Sequence, residues 1–291
     1  MNERTETPEG EAPAPPAWWA HLAPFGIWVF LLHVLGDPTP WTHAVALAAG
    51  LGAAAWLRPW RDAATWSHVA PFVAWIALMM GLDEPAAAWK YATRTALGLG
   101  LLLAGRPWRW YTPPRLRHVP AALGVGLLVF VIWVFPESPW MAERAPGFYR
   151  FYVRFLVGLW PFGQMPEPLT EFPYAPETCG WLLTLVRLGG SAFVIAAIEE
   201  FFWRSFVYRW MLGNDFLKVD PGRLDVQALV LVSVVFAVAH EQWFAGFLAG
   251  LAYGLLFIRT RDIGAAILAH VVTNLVLGLY VLRTGLYHFW A

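Results

Sequence analysis

The stretch Trp181-Leu-Leu-Thr-Leu-Val-Arg-Leu-Gly-Gly-Ser-Ala-Phe-Val-Ile-Ala-Ala-Ile-Glu199-Glu200-Phe-Phe-Trp-Arg204-Ser-Phe-Val-Tyr-Arg-Trp-Met-Leu212 is apolar for longer than a bilayer is thick, yet holds two adjacent glutamates. About 20 such residues suffice to span a membrane. An ionisable side chain near the bilayer centre costs at least ~2.5 to 3.5 kcal/mol, so this pair marks a functional site by default. The chain around it has the composition such a segment needs. Of its 291 residues 58% are hydrophobic and 14% charged, against about 25% charged in a soluble domain. The sequence therefore reads as an all-α polytopic integral membrane protein. Its 20 basic residues balance 20 acidic ones, which leaves no basic footprint and excludes a nucleic-acid partner. Cys179, the single cysteine, provides neither an internal disulfide nor a thiolate metal site.

Outward from this stretch, nine apolar segments follow one another: Leu22 to Leu35, Trp41 to Leu57, Trp66 to Leu82, Tyr91 to Ala104, Val119 to Phe135, Trp181 to Leu212, Val226 to Ala239, Trp243 to Ile258 and Ile263 to Leu282. Several are short for a span, so a bundle of seven to nine transmembrane helices is expected. Tryptophans such as Trp41, Trp60, Trp66, Trp89, Trp108 and Trp181 gather at segment ends, where aromatic belts sit. With nine spans the arginines of three short loops (Arg58 and Arg61; Arg106, Arg109, Arg115 and Arg117; Arg259 and Arg261) fall on one side, which the positive-inside rule makes cytoplasmic. The N-terminus is then inside and the C-terminus outside. The expected location is the cytoplasmic membrane of a prokaryote, as a multi-pass protein.

Four regions are expected. Residues 1–20, acidic and Pro-rich, form a disordered tail and not a signal peptide. Residues 21–135 supply N-terminal membrane helices of unassigned role. Residues 136–180 form a Pro- and aromatic-rich connection lying on the membrane surface through Phe148 to Arg154. Residues 181–285 hold every suspicious polar group and form the core.

Spacing sorts those groups. Glu200 and Arg204 are four apart, hence on one helical face and able to pair. Glu199, turned about 100° from Glu200, has no evident local partner. His240 ends the run Leu229 to Ala239, where it is either an interfacial cap or part of a site. His270 and Asn274 share one face of a helix whose interior is otherwise uncharged; such a pair also serves as interhelical glue. Gly246, Gly250 and Gly254 make a small-residue ridge that lets a neighbouring helix approach closely. One difficulty stands: with straight helices, His240 at an outer end and Glu199 about 27 Å along from Trp181 would not meet.

Glu199-Glu200-Phe-Phe-Trp-Arg204, then Phe236-Ala-Val-Ala-His240, then His270-Val-Val-Thr-Asn274 resemble the EExxxR, FxxxH and HxxxN signatures of the CAAX protease and bacteriocin-processing family of intramembrane endopeptidases. The resemblance covers about Trp181 to Leu282. It implies an endopeptidase acting on a membrane-associated or lipidated peptide or protein in contact with the bilayer. Glu199 would be the general base and His240 would orient the attacking water. His270 and Asn274 would donate to the oxyanion, supported by Glu200, Arg204 and Phe236. No cofactor is favoured. Zinc is the competing mechanism, since His240, His270 and a carboxylate make a His₂Glu set, although no HExxH run is present. Two other classes stay open: a transporter or proton relay, which uses the same residue types at membrane depth, and a non-catalytic immunity or scaffold protein.

Overall fold

The protein is seen in a computed structural model that describes residues 62–81, 87–158 and 172–290, all within a unit of contacts running from Asp62 to Ala291. The tail, the first two apolar segments and the Arg58 and Arg61 loop lie outside the described residues. Each of the seven apolar segments that fall inside is a helix: α1 (Ala63–Gly81), α2 (Ala87–Gly105), α3 (Val119–Val134), α6 (Pro176–Leu212), α7 (Val226–Val238), α8 (Trp243–Thr260) and α9 (Ile263–Thr284). Two short helices, α4 (Pro139–Arg144) and α5 (Pro146–Phe155), occupy the first part of the connection. Residues Leu116–Glu137 around α3, together with α6, α8 and α9, are long and apolar enough to cross a membrane, while α7 and residues Ala63–Met79 of α1 are shorter apolar helices. The protein is an all-α polytopic integral membrane protein.

Local chemistry sets the helix ends. Proline stands in the first turn of α3, α4, α5 and α6, where its missing N–H loses no intrahelical bond. Asp225 and Asp262 cap α7 and α9, accepting from the backbone N–H of Ala228 (2.9 Å) and Gly264 (3.0 Å). Asp262 also accepts from the Arg115 N–H and pairs with His118 Nδ1, both at 2.9 Å, so it fastens the α8–α9 turn to the entry of α3. Burial opposes its ionisation, but these donors outweigh burial and hold the carboxyl below the ordinary aspartate range. Gly285, at φ 73°, closes α9 in the left-handed region.

Packing is tightest where α3 meets α9. A Cβ on Gly126 would stand 2.5 Å from the Ala269 carbonyl oxygen, so only glycine lets these backbones approach. The Thr273 hydroxyl lies 2.8 Å from Gly126 O and accepts from Tyr253 Oη at 2.7 Å, joining α3, α8 and α9 one turn from His270. α1 is held to α6 by stacked Phe72 and Phe202, 4.0 Å apart, and by a partly buried chain from Ser205 through the Tyr111 hydroxyl to His68. The outer faces of α3 and α7 present Leu127, Leu128, Val131, Leu231, Val235 and Val238. Apolar surface of this extent suits lipid and not water.

Candidate active site

α6 is not one regular helix. Gly180, at φ 78°, breaks its first turns, and two π-helical stretches, Gly190–Ile195 and Phe201–Val207, bracket the α-helical Ala196–Glu200. π insertions are rare and gather at functional sites. Here they flank the two glutamates directly, and both side chains are buried. At 1.5 Å per residue, α6 would run about 55 Å and α7 about 20 Å, against a hydrocarbon core of about 30 Å. The helix of Glu199 thus overshoots the bilayer while that of His240 falls short, which removes the difficulty of bringing them to one depth.

Glu200 has no exposed surface and Arg204 is 2% exposed. Arg204 Nε stands 3.3 Å from Glu200 Oε2, the pair that their spacing allows. The guanidinium also lies over Phe236, 4.4 Å from the ring centre, and reaches Gly250 O at 3.5 Å. The other Glu200 oxygen, Oε1, lies 2.9 Å from His270 Nδ1. Glu200 is therefore held from both sides, by a guanidinium of its own helix and an imidazole of α9.

Glu199 is held differently. Its Oε2 lies 3.8 Å from His270 Nε2, beyond hydrogen-bond range, but close enough for a single water beside the line between them to touch both. His270 thus stands between two carboxylates, one bonded and one not. Its ring is fixed by Tyr253, stacked at 4.8 Å and 20°.

His240 joins this group through Phe236, whose ring centre is 4.6 Å from that of His240 and 6.2 Å from that of His270. His240 Nδ1 lies 2.8 Å from Phe236 O. A carbonyl oxygen only accepts, so Nδ1 carries the proton and the neutral ring offers Nε2 as an acceptor. Asn274 Nδ2 donates to Ser191 O at 2.8 Å, at the first π stretch. This is the interhelical glue that its position also suggested, and it leaves one amide N–H and the amide oxygen for other partners. Among the described residues no three His, Cys, Asp or Glu side chains group so as to hold a metal ion.

The residues of the three signatures are thus drawn from α6, the end of α7 and α9 to one place. Residues 181–276 match the family model Rce1-like, described as Type II CAAX prenyl endopeptidase Rce1-like. The match covers the same segment as the sequence resemblance, and the family it names is one of CAAX-type intramembrane proteases. No curated protein and no solved structure matches the chain.

Several neighbours of the Rce1-like residues are not foreshadowed by any motif. Tyr253 lies inside the glycine ridge, and the ridge itself faces α7: Cβ atoms at Gly246 and Gly250 would meet Ala237 and Ser233 at 3.3 and 2.9 Å. Trp133 of α3 packs edge-on against His240 at 5.5 Å. The loop after His240 is fastened to the end of α5, with Gly158 N–H donating to Glu241 O at 2.6 Å. The period of the ridge could have pointed to Tyr253; nothing in the sequence singles out Trp133.

Proposed function

We propose that the protein is an intramembrane endopeptidase that hydrolyses a peptide bond of a membrane-associated or lipidated substrate, with residues 181–285 as its catalytic core. The observation that carries this is the unequal holding of two adjacent carboxylates around one imidazole. Glu200 is neutralised by Arg204 and bonded by His270, and so positions the ring. Glu199 is buried beside the same ring with no hydrogen bond to it, as a base that must accept a proton should be.

The chemistry follows from the donors. Water donates one hydrogen to Glu199 and the other to His240 Nε2, the acceptor left by the Phe236 bond. As the water oxygen attacks the substrate carbonyl, its proton passes to Glu199 and the carbonyl oxygen becomes an oxyanion. The His270 Nε2–H and the remaining Asn274 amide N–H then serve the oxyanion. Collapse of the tetrahedral intermediate breaks the C–N bond, and Glu199 returns the proton to the leaving amine. No acyl-enzyme forms and no metal takes part.

The test is cleavage of a library of membrane-associated peptides, prenylated and not, by the purified protein in liposomes. Wild type is expected to cleave with or without chelator, and Glu199→Gln and His240→Ala to be inactive. Undiminished cleavage by Glu199→Gln would sink the proposal. Loss of activity on chelation, restored by zinc, would replace its mechanism with a metal-dependent one.

A further inference from the structure

Away from the site just described, the early turns of α2 and the turns of α6 after Gly180 bring three cations together. The Arg94 guanidinium lies 5.0 Å from the ring centre of Tyr91 and 5.2 Å from that of Trp75. The Arg187 guanidinium lies 4.3 Å from the same Tyr91 ring and 4.9 Å from Tyr174. Two guanidiniums therefore share one aromatic ring. Lys90 precedes Arg94 by one helical turn on the same face.

What these cations lack is a counter-charge. Among the described residues none of the three makes an ion pair with a carboxylate, and Arg187 Nη2 donates to Trp290 O at 3.2 Å. Three buried polar atoms here have no hydrogen-bond partner: Lys90 Nζ, Arg187 Nε and Thr95 Oγ1. The helices are close because Gly190 lacks a side chain; a Cβ there would sit 2.5 Å from Thr95 Oγ1. Guanidiniums do not shed their protons to relieve such a position. Aromatic faces attract them but do not neutralise them. A donor-rich cluster with at least two fixed positive charges is complementary to an anion with several acceptor oxygens.

Depth and surroundings narrow the anion. Trp89 and Trp181, 64% and 62% exposed, stand beside the cluster on α2 and α6, in the manner of residues at a membrane–water interface. Leu97 and Phe193 are exposed further along these helices, so acyl chains can run below a headgroup held here. An arginine pair between membrane helices meets the oxygens of a phosphate headgroup with several donors at once. We propose that Arg94, Arg187 and Lys90 bind a phosphate group between α2 and α6, and the apolar flanks favour the headgroup of an anionic phospholipid over free phosphate as its source.

The experiment is thermal unfolding of the purified full-length protein in neutral detergent, at fixed ionic strength, with phosphatidylglycerol, phosphatidylcholine or inorganic phosphate added. Phosphatidylglycerol is expected to raise the midpoint more than phosphatidylcholine, and Arg94→Gln/Arg187→Gln to erase that difference. Inorganic phosphate alone giving the full shift would keep the site and assign it a soluble anion. Equal shifts from both lipids, or a preference for phosphatidylglycerol that survives in the double variant, would overturn the proposal. Should the double variant not fold, Arg187→Gln and Lys90→Met are read the same way, each expected to lower the number of phosphatidylglycerol molecules retained in native mass spectrometry.

Discussion

Replacing each of the two neighbouring glutamates by glutamine should separate catalysis from stability. Glu200 is fully buried, 3.3 Å from Arg204 Nε and 2.9 Å from His270 Nδ1. Glu200→Gln keeps the shape but leaves the 2%-exposed Arg204 as a buried charge without its partner. Breaking a buried pair in this way costs about 3 to 5 kcal/mol, roughly a hundredfold to several-thousandfold in the folding equilibrium. Among the described residues Glu199 has no hydrogen bond to lose, and its contact with His270 is 3.8 Å. Glu199→Gln should therefore shift stability by under about 1 kcal/mol, while removal of a general base lowers turnover about 10²- to 10⁴-fold. Unfolding followed by tryptophan fluorescence in mixed micelles reads the first quantity, and peptide cleavage in liposomes the second. The reasoning fails if the two variants lose similar stability, or if Glu200→Gln is as stable as wild type.

Other outcomes follow from single contacts. Asn274→Ala loses the bond to Ser191 O, worth about 1 kcal/mol, and a proposed oxyanion donor, worth about 10² to 10³ in kcat; an unchanged kcat would remove Asn274 from the chemistry. Gly126→Ala drives a Cβ to within 2.5 Å of a backbone carbonyl of α9; overpacking of this kind costs about 1 to 3 kcal/mol, so stability and activity should fall together, and a variant with wild-type values in both would show that α3 can move away freely. Asp262→Ala removes the cap of α9, at about 0.5 to 2 kcal/mol. Because the Asp262 carboxyl is held below its ordinary range, its contribution is present above the unfolded-state pKa and disappears as pH falls through the lower folded value. Wild type and Asp262→Ala should accordingly differ at neutral pH and converge in acid, which chemical denaturation across pH checks.

Helix positions were legible because lipid and core both demand apolar residues, and runs such as Val226 to Ala239 have few polar breaks. The pairing of Glu200 with Arg204 was legible too, since one turn of helix fixes it. Rotation of one helix about its axis against another was not. The grip of His270 on Glu200, the stacking of Tyr253 and the bond from Asn274 to Ser191 all depend on that rotation, which side-chain packing across α6, α8 and α9 decides. The π stretches of α6 were hidden for a different reason: no residue type is required by a widened turn as glycine is by a positive φ.

Those two widened turns change what kind of mutation α6 tolerates. Each lets the chain before and after it keep different rotational frames, so the face that opposes α2 at Arg187 and the face that opposes α9 at Glu199 are set separately. Removing one residue from Gly190–Ile195 would let that stretch relax to an ordinary α-turn and leave Glu199 facing His270, whereas the same deletion absorbed by a regular α-turn would swing it by about 100°. Point substitutions would overlook this slack, while a single-residue deletion scan along α6 would reveal it as two narrow windows of tolerance beside the glutamates.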